Sequence, residues 1–254
     1  MRIVKLVTVA LATALATQAW ALGGMADVTV FDRSAGKSLK VHWHEGRAWV
    51  VGKPGNEYQI MVRNRRGEDL LAVMSVDGVN VVSGETAHPQ QSGYVLSPWR
   101  GLEVKGWRKS LERTAAFYFT PLPDSYAART GRPDDVGVIG VALFQRKRAA
   151  PPQSVAPLSQ SAPAAADSAA ARAEAQPLER EAKLGTGHGR SETSLAQVTH
   201  FERESEYPTA ANTLHYDRRE NLIAMGVLPV STIARMPNPF PSWPPRFTPD
   251  PPAH

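Results

Sequence analysis

Two histidines flank a tryptophan at His42-Trp43-His44. On an extended strand successive side chains point to opposite faces, so the two imidazoles share one face. A zinc site needs more ligands than such a pair supplies, and Glu45 would have to turn inward to help. His88, His188, His200 and His215 are scattered, with no H-E-x-x-H spacing. The pattern predicts a plain strand face with Trp43 directed into the core, and leaves His42 and His44 as the metal candidates.

Glycoside cleavage would draw its two acids from residues such as Glu85, Glu103 and Glu112. The paired carboxyls must converge within roughly 5–10 Å, and nothing in the spacing brings these together. No G-x-S-x-G elbow is present, and Ser83-Gly84-Glu85 reads as a turn. Gly185-Thr186-Gly187-His188-Gly189 has the glycines of a phosphate-binding loop, but no strand is expected before it and no G-K-[ST] follows. It reads as a flexible joint. The sequence therefore reads as non-enzymatic, with no catalytic residue and no cofactor.

The aromatic residues carry more information. Trp43, Trp49, Tyr58, Tyr94, Trp99 and Trp107 all fall in or beside expected strands. Tyr94-Val95-Leu96 and Trp99 flank the turn Ser97-Pro98-Trp99-Arg100-Gly101. Indole and phenol rings stack on sugars and anchor peptides, and Arg100 adds donors for a polar ligand. Trp99, Arg100, Trp107 and Tyr94 are thus the candidate ligand or partner contacts. Trp99 stands out because it follows a proline in a loop, where burial is least expected.

The elements that would position these residues are short. Candidate strands are Val28–Phe31, Leu39–His44, Ala48–Val51, Tyr58–Asn64, Leu70–Val76, Val79–Val82, Tyr94–Leu96, Leu102–Trp107, Thr114–Thr120 and Val136–Phe144. Glycine-, proline- and asparagine-rich turns separate them. Many short strands at close spacing indicate an antiparallel β-sandwich, jelly-roll-like, over residues 22–148. Asp77-Gly78 joins two apolar runs and suits a type I′ hairpin, in which both central residues need φ > 0. That register puts Leu70, Ala72, Met74, Val76, Val79 and Val81 on one face and makes Asp77 a corner residue.

Two short helices complete the pattern. Pro123–Gly131 has a capping aspartate and a glycine stop. Asp217 and Glu220 have capping-box spacing before a helix over 218–225, which Gly226 ends and Pro229 prevents from continuing. Its apolar residues Leu222, Ile223 and Met225 form a docking face that needs a partner.

Outside these elements the composition changes. Residues 149–185 are Ala/Pro/Ser-rich and read as a disordered linker. Residues 186–230 read as a C-terminal segment carrying the docking helix, and residues 231–254 as a proline-rich tail. The first 21 residues combine Arg2 and Lys5, an apolar run over Leu6–Ala16 and the small-residue motif Ala19-Trp20-Ala21. This is secretory signal patterning, and the run is too short for a permanent span, which needs about 20 residues. The chain is therefore expected in the periplasm or outside the cell. It contains no cysteine, so thiolate chemistry and disulfides are excluded.

Loss of Arg2 and Lys5 with the signal lowers the formal charge from +5 to +3. The cations are scattered apart from Gln145-Arg146-Lys147-Arg148, and no nucleic-acid-binding pattern is present.

The runs VRN–LAV-SVDG, GY-L-P, GWR and AAF-F resemble a family of exported bacterial proteins of uncharacterised function. The resemblance extends from Asn56 to Phe144, roughly a third of the chain, and YDRRENLIAMGVLP is similar to that family's C-terminal end. It implies a β-sandwich and no particular activity. The expectation is an exported, non-enzymatic sandwich that binds a protein or an envelope component such as a glycan. The alternatives are a carbohydrate-active or other hydrolase on the same scaffold, and a structural subunit of a surface assembly.

Overall fold

A computed structural model describes residues 24–148 and 183–230. The expected signal, the tail and nearly all of the expected linker lie outside the described residues. The strands are β1 (Ala26–Asp32), β2 (Lys37–Ser38), β3 (His42–His44), β4 (Arg47–Val51), β5 (Glu57–Asn64), β6 (Leu70–Val76) and β7 (Val79–Asn80). They continue with β8 (Tyr94–Leu96), β9 (Gly101–Val104), β10 (Gly106–Arg108), β11 (Arg113–Pro121), β12 (Val138–Gln145), β13 (Leu184–Thr193) and β14 (Ala210–Asp217). Two short helices are α1 (Tyr126–Arg129) and α2 (Arg219–Ala224).

The strands form a β-sandwich of two seven-stranded sheets. One sheet runs β10-β11-β5-β1-β2, with β13 on β11 and β9 on β5. The other runs β3-β4-β14-β12-β6-β7, with β8 on β6. Alternation in β1 sends Ala26, Val28 and Val30 inward. They meet Ile60 and Val62 of β5, and Leu70, Ala72, Met74 and Val76 of β6, in one shared core.

The Asp77-Gly78 hairpin has the expected register. Val76 faces Val79 and Ser75 faces Asn80, with φ of 52° at Asp77 and 71° at Gly78. Strand β6 is also buried on its other face, where Leu71 and Val73 pack with Phe144 and Phe201.

Residues 183–230 are part of the sandwich. Strand β13 pairs along the whole of β11, so Leu184 and Gly185 are strand rather than linker. The stretch Gly185–Gly189 is strand, not a flexible joint. Its glycines allow close approach: a Cβ on Gly187 would lie 2.2 Å from Cζ of Tyr118. Strand β14 lies between β4 and β12, antiparallel to β12 but parallel to β4. The sheet is therefore mixed rather than purely antiparallel, because the chain reaches β14 by a long crossover instead of a hairpin.

Helix α2 lies on the outer face of the second sheet. Leu222, Val227 and Leu228 pack against Trp49 and Val51 of β4. Full burial of Leu222 contributes about 1.5–3 kcal/mol before ordering costs. Ile223 is half-buried and Met225 is 44% exposed, so the apolar face expected over Leu222, Ile223 and Met225 is only partly used. The helix is capped from outside: Asp217 Oδ1 accepts from Arg218 N and Asn221 Nδ2. At α1 the cap is Ser125, whose hydroxyl accepts from Ala128 N. Among the described residues no helix is long and apolar enough to cross a membrane.

Candidate functional site

The residues singled out by sequence do not converge. Trp107 is 3% exposed and belongs to the core. Its Nε1 donates to the Gly187 carbonyl (3.1 Å), and its ring meets Phe117 edge-on at 5.1 Å. It is not a ligand contact, because β10 aims it between the sheets. Tyr94 is half-buried, and its hydroxyl accepts from Arg108 Nε.

His42 and His44 share a face on the edge strand β3, but Trp43 points outward at 51% exposure instead of into the core. The half-buried face belongs to the histidines. His44 lies beside Gly226, and His42 is held below its ordinary pKa by burial and by Lys40 and Arg219. Glu45 sits in the turn after β3 with φ 48° and reaches His44 only at 3.9 Å. Among the described residues no group of three or more potential ligands is placed to hold a metal ion.

The three glutamates occupy separate elements. Glu85 follows β7 and accepts from Gln91, Glu103 on β9 pairs with Lys105 at 3.5 Å, and Glu112 lies in the turn before β11. A shallow cleft of about 280 Å³ lies between Asp124, Tyr126, Arg129, Thr130 and His188. Burial lowers the His188 pKa, leaving a neutral imidazole beside the Tyr126 ring.

Two further arrangements involve groups of functional type. In the first, Asp77 is fully buried and its carboxylate is the end of an internal network. Oδ1 accepts from Gly137 N at 2.8 Å and from the Tyr216 hydroxyl at 2.5 Å. Oδ2 accepts from Thr186 N at 2.7 Å. The Thr186 hydroxyl lies 2.6 Å from both the Tyr216 and the Tyr58 hydroxyls. Each hydroxyl has one proton, so Tyr216 donating to Asp77 fixes the order: Tyr58 donates to Thr186, and Thr186 to Tyr216.

The network joins both sheets and both described segments. Burial pushes the Asp77 pKa up to about 6, against the donors that favour the anion. Burial first, and then the Asp77 charge, raise Tyr58 and Tyr216 and keep them neutral donors. Fully buried and filled with donors, Asp77 is a corner residue as expected and also a structural acceptor. Sequence reading missed Thr186 and Tyr216 as its partners, and Tyr58 behind Thr186.

The second arrangement is the turn carrying Trp99 and Arg100. Trp99 is 61% exposed and has φ 61°. A bulky residue in this left-handed region is a genuine outlier. Buried Asn64 holds the turn in place. Its Nδ2 donates to the carbonyls of Glu68 (2.8 Å), Leu96 (3.1 Å) and Ser97 (3.2 Å), and its Oδ1 accepts from Arg66 N (2.8 Å). Its backbone N donates to Arg100 O, and Trp99 N donates to Arg66 O.

The turns 65–67 and 97–100 are thereby fixed side by side, with the indole over Gly67. Arg63, Arg65, Arg66 and Arg100, in or next to these two turns in the chain, are exposed. Arg65 pairs with Asp27 at 2.6 Å. Among the described residues no carboxylate pairs with Arg63, Arg66 or Arg100. In the sequence Asn64 is only the last residue of an expected strand; its burial at that strand end gives it this role.

The chain matches no protein-family model, and neither a curated protein nor a solved structure is similar enough to count as a match.

Proposed function

We propose that the protein is an exported, non-catalytic β-sandwich that binds a component of the bacterial envelope through the Trp99–Arg100 turn, in the periplasm or at the cell surface. The observation that carries this reading is Trp99, an exposed indole held in a costly backbone conformation by a buried asparagine. Strain of about 1–3 kcal/mol persists where the surroundings enforce it, and such positions cluster at ligand contacts. The signal-like N-terminus supports export. The use of the buried ionisable groups within the fold supports a binding role over a hydrolytic one.

Residues 22–254 should co-sediment with isolated envelope fragments, and Trp99→Ala should abolish this while leaving the melting temperature unchanged. Equal sedimentation of both proteins, or retention of the full chain in the cytoplasm with residues 1–21 uncleaved, would reject the reading.

A further inference from the structure

We infer that the Trp99 end of the sandwich docks on an anionic lipid bilayer surface; this names the ligand class of the site above and rests on that reading. The first observation is composition. Trp99 projects an indole with no hydrogen-bond partner among the described residues; Arg66 and Arg100 sit in the same two turns and Arg63 opposes Gly101 beside them, all three exposed and without a paired carboxylate among the described residues. An indole beside free guanidinium groups matches the interfacial zone of a membrane, where amphipathic rings sit at headgroup level and cations meet acidic lipids.

The second observation is shape. Arg65, Arg66, Gly67, Ser97, Trp99 and Arg100 are all exposed, so the turns build no walled cavity for a small molecule.

The neighbouring run Arg146-Lys147-Arg148 adds little, since its three cations pair with Asp69, Glu202 and Glu68.

The test uses residues 22–254, which keep every described strand and omit the apolar run Leu6–Ala16. Flotation is measured with phosphatidylcholine vesicles, with or without phosphatidylglycerol. Binding should require phosphatidylglycerol and weaken as sodium chloride is raised. Arg66→Gln and Arg100→Gln should each weaken it about fivefold, and Trp99→Ala roughly tenfold, with melting temperatures unchanged.

Equal flotation on neutral vesicles, or phosphatidylglycerol binding indifferent to all three substitutions, overturns the inference. Displacement by inorganic phosphate at matched ionic strength also overturns it, by assigning the turn to a soluble anion. Trp99-dependent sedimentation with envelope fragments, without vesicle binding, removes the lipid assignment and leaves the envelope-binding reading standing. Absence of both removes both.

Discussion

Asp77 and Trp99 occupy tight turns in the same backbone region, at φ 52° and 61°. Both conformations cost an L-residue free energy, about 1–2 kcal/mol. At Asp77 the cost is offset inside the molecule. Its carboxylate turns into the core and gathers two backbone N–H groups and a tyrosine hydroxyl. At Trp99 the side chain turns outward and gathers none among the described residues. The Asp77 turn draws its partners from Gly137, before β12, and from β13 and β14 in the distant segment. The Trp99 turn draws all of its from residues 64–100. One left-handed turn closes the fold, while the other exposes a side chain that gains nothing from folding. Glu45, the third such residue, needs no separate account, since it forms with Gly46 (φ 72°) the two-residue loop of the β3–β4 hairpin.

The largest expected effect comes from removing residues 149–254. This deletes β13 and β14, and β14 is an interior strand of its sheet. Asp77 would lose Tyr216 and the Thr186 amide together. No cooperative unfolding transition should remain by circular dichroism or calorimetry. A truncated chain that melts cooperatively near the full-length temperature would show that the Asp77 turn closes nothing.

Asp77→Ala should be the most damaging single substitution of the comparison. It leaves Gly137 N, Thr186 N and the Tyr216 hydroxyl buried without their acceptor. Loss of one partner in a buried charged network costs about 3–5 kcal/mol, measurable as a lower urea midpoint at unchanged slope. A loss below about 1 kcal/mol would mean that the network is incidental.

The protonation of Asp77 gives a sharper signature. Its folded pKa of about 6 lies above the ordinary 3.8, so between these values the folded chain binds the proton more tightly than the unfolded chain. Stability from this group is greatest below about pH 4 and falls as pH rises to about 6, by up to about 3 kcal/mol. Asp217, also raised by burial, acts in the same direction. His42, His188 and His215, all lowered by burial, act in the opposite one and lose stability on acidification. The quantity to measure is therefore the difference between wild type and Asp77→Asn. That difference should tilt in favour of wild type as pH falls from 7 to 4.5, and a flat difference would contradict the raised value.

Much of the scaffold was legible in the sequence. Leu70–Val76 and Tyr94–Leu96 have the bounds read from the apolar runs, and the Asp-Gly pair fixed its own register. Local chemistry suffices there, since a two-residue turn and an alternating face specify each other. Strand β13 was not legible, because its glycines lack a strand signature. It becomes a strand through β11, whose Tyr118 ring occupies the space beside Gly187. The roles of the tryptophans failed for a related reason. Trp43 and Trp107 each sit on a strand, and only tertiary placement on an edge or in the interior separates exposure from burial. Trp99 was read as exposed because a loop following a proline is a local feature. Nothing local to Asp77 distinguished it from an asparagine serving the same turn; its partners lie beyond residue 130.

The smallest expected effect has the most diagnostic sign. Trp99→Gly relieves the left-handed strain, since glycine has no Cβ to clash there. It also gives the unfolded chain more freedom, which opposes the gain. The indole contributes little packing to offset its loss, because it is mostly exposed. The net change should run from none to a gain of about 1 kcal/mol, read as an equal or higher melting temperature. Asp77→Gly, at the same backbone region, should be strongly destabilising because it removes the acceptor. If Trp99→Gly instead lowered stability by several kcal/mol, the indole would be part of the fold, the two turns would be alike, and the binding reading would lose its main support. A Trp99→Gly protein at least as stable as wild type would mean that the residue is kept for something other than folding, as expected of a contact whose partner is outside the chain.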